Sequence, residues 1–329
     1  MTVLGEVSVR IATTMHYSPL RNLLPHHPPP QLGPALPVTL PMRFNLLQDP
    51  EEFAGRVGDF LLAHEAEHSL LFGILSNLSS GWTYGGAAAG GPVLAFVEDV
   101  TGIAVVGVVT PPRNLVISRA PAGGAVGALA GGLRARALPL PGVSGPPAEA
   151  QLFAASWGRL HALPFRRAIA MQVYQATAIH PPEHPAPGRL RAGQPGDAPL
   201  VAGWIAAFND EALPEGEPDR NAAMQMALDL VSHRGRSVYL WEDAGPVSMV
   251  ASGRPTPNGG RVYAVYTPPE HRRKGYASSS VAALSQSLLD GGLSRCFLFA
   301  DLTNATANHI YRQIGYEPVA FFDDYRFGV

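Results

Sequence analysis

Residues 270–277 read Glu-His-Arg-Arg-Lys-Gly-Tyr-Ala, placing three consecutive cations, Arg272, Arg273 and Lys274, directly before Gly275. Only 15% of the 329 residues are charged, so this cluster is a local feature and not a reflection of composition. An apolar run at 260–267 predicts a strand before it. Val281, Leu284 and Leu288 share one face of a helix predicted to follow and to run to about Leu289. The order strand, glycine turn, helix brings free backbone N–H groups together at residues 273–277. A helix N-terminus presents unpaired donors and about half a positive charge, which suits phosphate. Gly275 lets the backbone approach such a ligand with no Cβ in the way. The anion that fits three neighbouring cations and a row of amides is a pyrophosphate.

Further along, Asn304, Asn308 and Tyr311 are spaced i, i+4, i+7 in a helix predicted over 304–314, so they share one face. Ile310 and Ile314 lie on another face, suited to a core. Two amides and a phenol in one stripe line a surface that meets something polar.

The pattern Arg272-x-x-Gly275-x-Ala277 after a strand resembles the pyrophosphate-binding motif of the GNAT superfamily of acyl-CoA N-acyltransferases. The resemblance covers roughly 187–329 and includes the later segment "TNATANHIYRQIGYEPV". It implies that residues 272–277 (Arg272, Arg273, Lys274, Gly275, Tyr276, Ala277) bind the pyrophosphate of acetyl-CoA. It also implies that the backbone of Val265, Tyr266 and Thr267 bonds pantetheine and the acyl carbonyl. Asn304 and Asn308 would contact the pantetheine arm or nearby backbone, and Tyr311 would protonate the thiolate leaving group. A thiol near pKa ~8.5 and a phenol near ~10 are close enough for that transfer. The attacking amine must arrive neutral, at about 1 kcal/mol for a pKa of ~8 and about 4–5 for a lysine at pH 7. Glu242, Glu270, His271 and Asp323 are the candidate bases, and none is singled out, which favours a low-pKa amine or a water relay.

Two other motifs compete. His64-Glu65-Ala66-Glu67-His68 matches the H-E-x-x-H zinc pattern on a predicted helix. His64, however, continues the apolar side set by Phe60 and Leu71, and Leu71 stands where a longer zinc motif needs glycine. We read a partly buried structural histidine and expect no metal; a zinc hydrolase using His64, Glu65 and His68 is the rival. "AGGAVGALAGG" (122–132) and "GVSGP" (142–146) carry no nucleotide or nucleophile register and read as close-packed helix and turns.

The elements that would hold these residues form two units. Residues 1–41 are proline-dense and aperiodic and read as a disordered extension. From 42 to 180, helical signals begin at Met42, and one long helix carries Phe53, Val57, Phe60, Leu61, Leu71 and Leu75. Strands at 92–99, 102–110, 114–118 and 168–179 and helices near 125–136 and 147–160 follow. "PPEHPAPG" makes a linker at 181–188. The second unit, 189–329, runs strand, two helices, hairpin, strand, helix, strand, helix, strand. The predicted class is α/β, two tandem GNAT-like domains, each a mixed, mostly antiparallel sheet flanked by helices. The first lacks R-x-x-G-x-A, its corresponding region being "SRAPAGGA", and is expected to be structural or substrate-shaping.

The function expected is acetyl transfer from acetyl-CoA to a primary amine by direct attack, with a non-catalytic acyl-CoA sensor as the alternative. The acceptor is a small molecule or peptide, and the protein a monomer or homodimer. A net charge of −2 gives no electrostatic case for nucleic acid or a membrane surface. No run approaches the ~20 apolar residues of a membrane span. A single cysteine, Cys296, excludes an internal disulfide. These features predict a soluble, cytoplasmic protein.

Overall fold

The computed structural model describes residues 41–81, 91–121, 123–212, 220–253 and 256–328. The extension expected at 1–41 lies, up to residue 40, outside the described residues. Strand β1 (Arg43–Leu47) forms where helical signals were expected to start. Asp49 then opens α1 (Pro50–Leu62), its carboxylate accepting the N–H groups of Glu51 and Glu52 at 2.7 and 2.9 Å. Phe53, Val57 and Leu61 form its fully buried stripe. The long helix expected through Leu75 is instead two. His64 leaves helical geometry (φ −135°, ψ 54°) and α2 (Glu65–Ser79) restarts the chain. The break falls at Ala63–His64, at the start of a stretch (63–67) with no large apolar residue to continue the stripe.

The rest of the first half is β2 (Val93–Asp99), β3 (Gly102–Val109), β4 (Leu115–Ile117), α3 (Gly123–Arg134), β5 (Gly142–Gly145), α4 (Pro147–His161) and β6 (Phe165–Ala176). "GVSGP", expected as a turn, contains β5. Its glycines are needed because a Cβ at Gly145 would collide with the Ile117 side chain and one at Gly142 with the Tyr325 carbonyl. The second half repeats the same order: β7 (Arg189–Ala192), α5 (Ala198–Ala212), α6 (Arg220–Val231), β8 (Ser237–Glu242), β9 (Pro246–Ser252), β10 (Gly259–Tyr266), α7 (Tyr276–Asp290), β11 (Arg295–Asp301), α8 (Ala305–Gln313) and β12 (Glu317–Phe327).

All strands join one 12-stranded sheet in the order β1-β2-β3-β4-β5-β12-β6-β11-β10-β9-β8-β7. The last strands of the halves are exchanged. β12 lies between β5 and β6, and β6 lies between β12 and β11, antiparallel to both. Helices α1 and α2 cover one face of the first half, and α5 and α6 pack on strands of the second; α3 and α4 line the core of the first half, with α7 and α8 in that of the second. The segment between β6 and β7, expected as a linker, is tied down. His180 N–H donates to the Ile314 carbonyl (3.0 Å), Ala186 N–H to Ser279 Oγ (2.9 Å), and Trp241 Nε1 to the Pro187 carbonyl (2.7 Å).

Candidate functional site

The predicted site residues gather around one opening in the sheet. β10 and β11 run parallel and pair only from Gly259–Arg261 to Arg295–Phe297. Both continue, β10 to Tyr266 and β11 to Asp301, without further pairing to each other. The cause is on the other side of β10. Its register against β9 shifts between Tyr263 and Tyr266, where Ala264 takes φ 50°, a bulge that re-aims the strand. Beyond Arg261, the β11-facing peptide groups of β10 therefore have no ladder partner among the described residues. Val262, Leu298 and Ala300 give the slot an apolar floor beneath α7 and α8.

At the wide end of the slot the chain turns into α7. Gly275 is its N-cap with φ 79°, and Arg273 also has positive φ, 61°. The amides of Arg273 to Ser278 meet no acceptor among the described residues; the helix ladder starts with Ser279 N–H on the Gly275 carbonyl at 3.0 Å. Arg273 and Lys274 are exposed, whereas Arg272 is committed. Its Nε donates to the Thr267 carbonyl (2.9 Å), and its Nη2 forks onto Glu211 at 2.7 and 2.8 Å, above the Tyr266 ring. Glu211, at the end of α5, is absent from the sequence reading; only its 61-residue separation from Arg272 hid the pair. Desolvation, then the Glu211 charge, raises the Tyr266 phenol pKa. Tyr276 is also structural, its hydroxyl donating to Asp243 at 2.5 Å, which raises its pKa. Thr267 shares a hydrogen bond with Ser248 at 2.9 Å.

The polar stripe of α8 divides by role. Asn304 is the N-cap, accepting from Ala307 N–H at 3.0 Å. Asn308 is buried, donating to the carbonyls of Asp301 (2.7 Å) and Asn304 (2.8 Å) and accepting from the Tyr174 hydroxyl (2.9 Å). Tyr311 is buried in the cluster beneath the slot, yet its hydroxyl has no hydrogen-bond partner among the described residues. Burial pushes its phenol up to about 12, with Tyr174 acting in the same direction.

Of the candidate bases, two stand on other strands and two in the turn before α7. Glu242 is on β8, paired with Arg191 at 3.2 Å. Asp323 is on β12, beside Arg167 at 3.4 Å and separated from β11 by β6. Glu270 and His271 belong to the turn before α7. Cys296 is fully buried behind α7, and burial raises its thiol to about 11.

The H-E-x-x-H residues do something else. His68, not His64, is the buried histidine; His64 is about half exposed. His68 Nδ1 lies 2.8 Å from the Leu61 carbonyl and Nε2 accepts Arg119 N–H at 3.0 Å, so both ring nitrogens are engaged. Burial lowers its pKa to about 4. Glu65 joins the halves, accepting from Thr256 Oγ1 (2.6 Å), Asn258 N–H (2.7 Å) and Asn258 Nδ2 (3.1 Å). These three bonds commit the Glu65 carboxylate to joining the two halves. A cavity of about 370 Å³ near His64, Gln175 and Arg295 opens at the paired end of β11, away from the slot.

Among the described residues, the first half shows no equivalent opening. Ile117 fills the space at Gly145 between β4 and β5. In the turn before α3, Arg119 N–H is taken by His68 and Ala120 N–H by the buried Glu149 carboxylate at 3.0 Å.

Comparisons with known proteins bear on the fold. The family described as FR47-like protein matches residues 242–326, the segment that holds the slot, α7 and α8. A GCN5-related N-acetyltransferase from Sphaerobacter thermophilus superposes with TM-score 0.54 at 17% identity, over 88% of this chain and 96% of its own. A tandem GNAT protein from the clavulanic acid biosynthesis pathway does so with TM-score 0.52 at 12% identity, over 87% and 97%. The chain has a tandem GNAT fold. An acetyltransferase from the GNAT family of Colwellia psychrerythraea shares that fold with TM-score 0.51 at 10% identity, over 87% and 99%. No curated protein matches the sequence. Within the GNAT fold, the strand opening and the glycine turn fall in the second half.

Proposed function

We propose that the protein is an acetyl-CoA-dependent N-acetyltransferase whose second half carries the active centre. One observation supports this most: the slot between β10 and β11 ends beside the partnerless amides of residues 273–278. A thin apolar chain with polar linkages fits the slot, and a pyrophosphate fits the amides with Arg273 and Lys274 beside them. When bound, the thioester supplies the acyl group and a thiolate leaving group. The peptide groups of β10 beyond its ladder with β11 orient the acyl carbonyl and polarise it for attack. Arg272 holds the turn in place through Thr267 and Glu211 and need not touch the ligand itself. Tyr311, kept protonated by burial and with its hydroxyl uncommitted, donates the proton to the departing sulfur. The chain's one thiol is sealed in the core, so direct attack by the amine replaces a cysteine-linked acyl intermediate. Of the candidate bases, Glu242 and Asp323 are paired with arginines on other strands, which favours an acceptor that is a primary amine of low pKa or one that loses its proton through water.

The test is release of free thiol from acetyl-CoA across a panel of α-amino acids, peptide N-termini, polyamines and aryl-alkylamines. Turnover with at least one α-amine class is expected, and lysine side chains should be slower. Tight acetyl-CoA binding with no turnover on any class would favour the acyl-CoA sensor, the second reading, since none of the candidate bases is singled out.

A further inference from the structure

The strand exchange brings a residue of the first half against the candidate acid. Tyr174, on β6, is fully buried and donates its hydroxyl to Asn308 Oδ1 at 2.9 Å. Asn308 in turn clamps the start of α8 to the end of β11 through the carbonyls of Asp301 and Asn304. One turn later the Tyr311 ring stands edge-on between two others, Tyr174 at 6.0 Å and 63° and Tyr316 at 6.2 Å and 60°. Tyr316 is itself fixed, sharing a 2.7 Å hydrogen bond with Ser285. Of these three phenols, two are anchored by hydrogen bonds, and Tyr311 is the one left over.

We propose that Tyr174 is a positioning residue for proton donation by Tyr311, so the first half takes part in the chemistry of the second. This rests on the acetyltransferase reading above. A nine-residue helix is marginal by itself and depends on its contacts for a fixed place. The Tyr174 hydroxyl fixes the rotamer of Asn308, Asn308 fixes the first turn of α8, and that turn sets where the Tyr311 oxygen points. The Tyr174 ring holds the same phenol from the side. Without the Tyr174 hydroxyl, a buried amide oxygen loses its donor, and the turn must shift to find another. Displacements near 1 Å at a reacting group cost on the order of 10²-fold in rate, so a smaller shift is readily measured.

The experiment is a double-mutant cycle in the full chain with Tyr174→Phe and Tyr311→Phe, read as kcat and as acetyl-CoA affinity by calorimetry. Tyr174→Phe alone is expected to lower kcat roughly tenfold with Kd within about twofold. On the Tyr311→Phe background the same change is expected to alter kcat less than about twofold, because the group being aimed is gone. Asn308→Ala, which removes the link while keeping the Tyr174 ring, should behave alike and stands in if Tyr174→Phe does not fold. Wild-type kcat in Tyr174→Phe beside a defective Tyr311→Phe would overturn the positioning role alone. A full tenfold loss on both backgrounds would overturn it too, as general destabilisation. Wild-type kcat in Tyr311→Phe would remove the acid assignment and this proposal with it.

Discussion

Tyr311 and His68 show how burial assigns opposite tasks to two ionisable groups. Burial raises the Tyr311 phenol to about 12, which keeps it protonated and suits the donor role proposed for it. We expect Tyr311→Phe to lower kcat on the order of 10²-fold, in line with loss of a general acid, while acetyl-CoA Kd stays within about twofold; steady-state kinetics and calorimetry on one preparation decide it. His68 is held neutral at about 4, below its unfolded value near 6.5. Between those values the unfolded chain binds the extra proton. Stability present above pH ~6.5 is therefore lost as pH falls through about 4. Urea denaturation at pH 7 and 4.5 should show the native protein losing about 2–3 kcal/mol more than His68→Gln, whose amide can keep both bonds. The sequence exposed the HEAEH pattern and set the zinc reading aside on its helix face. It put the wrong histidine inside because the helix breaks at His64. It also showed Arg272, but not that Glu211 neutralises it, since that pairing depends on where α5 ends.

At the scale of elements, the glycine turn was legible because its cause is local: positive φ, a strand before it and a helix after. Gly275 also faces the segment before β7, where a Cβ would lie 3.3 Å from the His184 carbonyl. Gly275→Ala should therefore cost about 1 kcal/mol in the bound-competent turn and weaken acetyl-CoA roughly fivefold. Titration of that variant with acetyl-CoA checks this; unchanged affinity would mean the turn is not where the ligand sits. The break between α1 and α2, strand β1 and strand β5 were not legible. β5 forms only because Gly142 and Gly145 admit neighbours from β12 and β4, which a local reading takes for turn signals.

Over the whole molecule, the sequence displayed two repeats and a proline-rich boundary, and their order recurs element for element. It did not display the exchange of β6 and β12. Both are long strands of mixed apolar and charged residues that could close their own halves, and the choice between partners is made by packing across the sheet. Each half expressed alone therefore exposes the edges its missing strand would cover, and we expect it to aggregate. Co-expression of 1–182 with 183–329 should yield a soluble complex recovered by an affinity tag on either piece. A stable, monomeric 183–329 would contradict the exchanged sheet. In the first half, Ile117 occupies the space at Gly145, and His68 and Glu149 accept the amides of Arg119 and Ala120. The most direct measurement of the central claim is thus calorimetric titration of the full chain with acetyl-CoA beside an Arg273→Glu/Gly275→Glu double variant. One acetyl-CoA bound per chain at micromolar Kd, lost in the variant, is the predicted result. No binding by the folded native protein, or binding that survives in the variant, would contradict it.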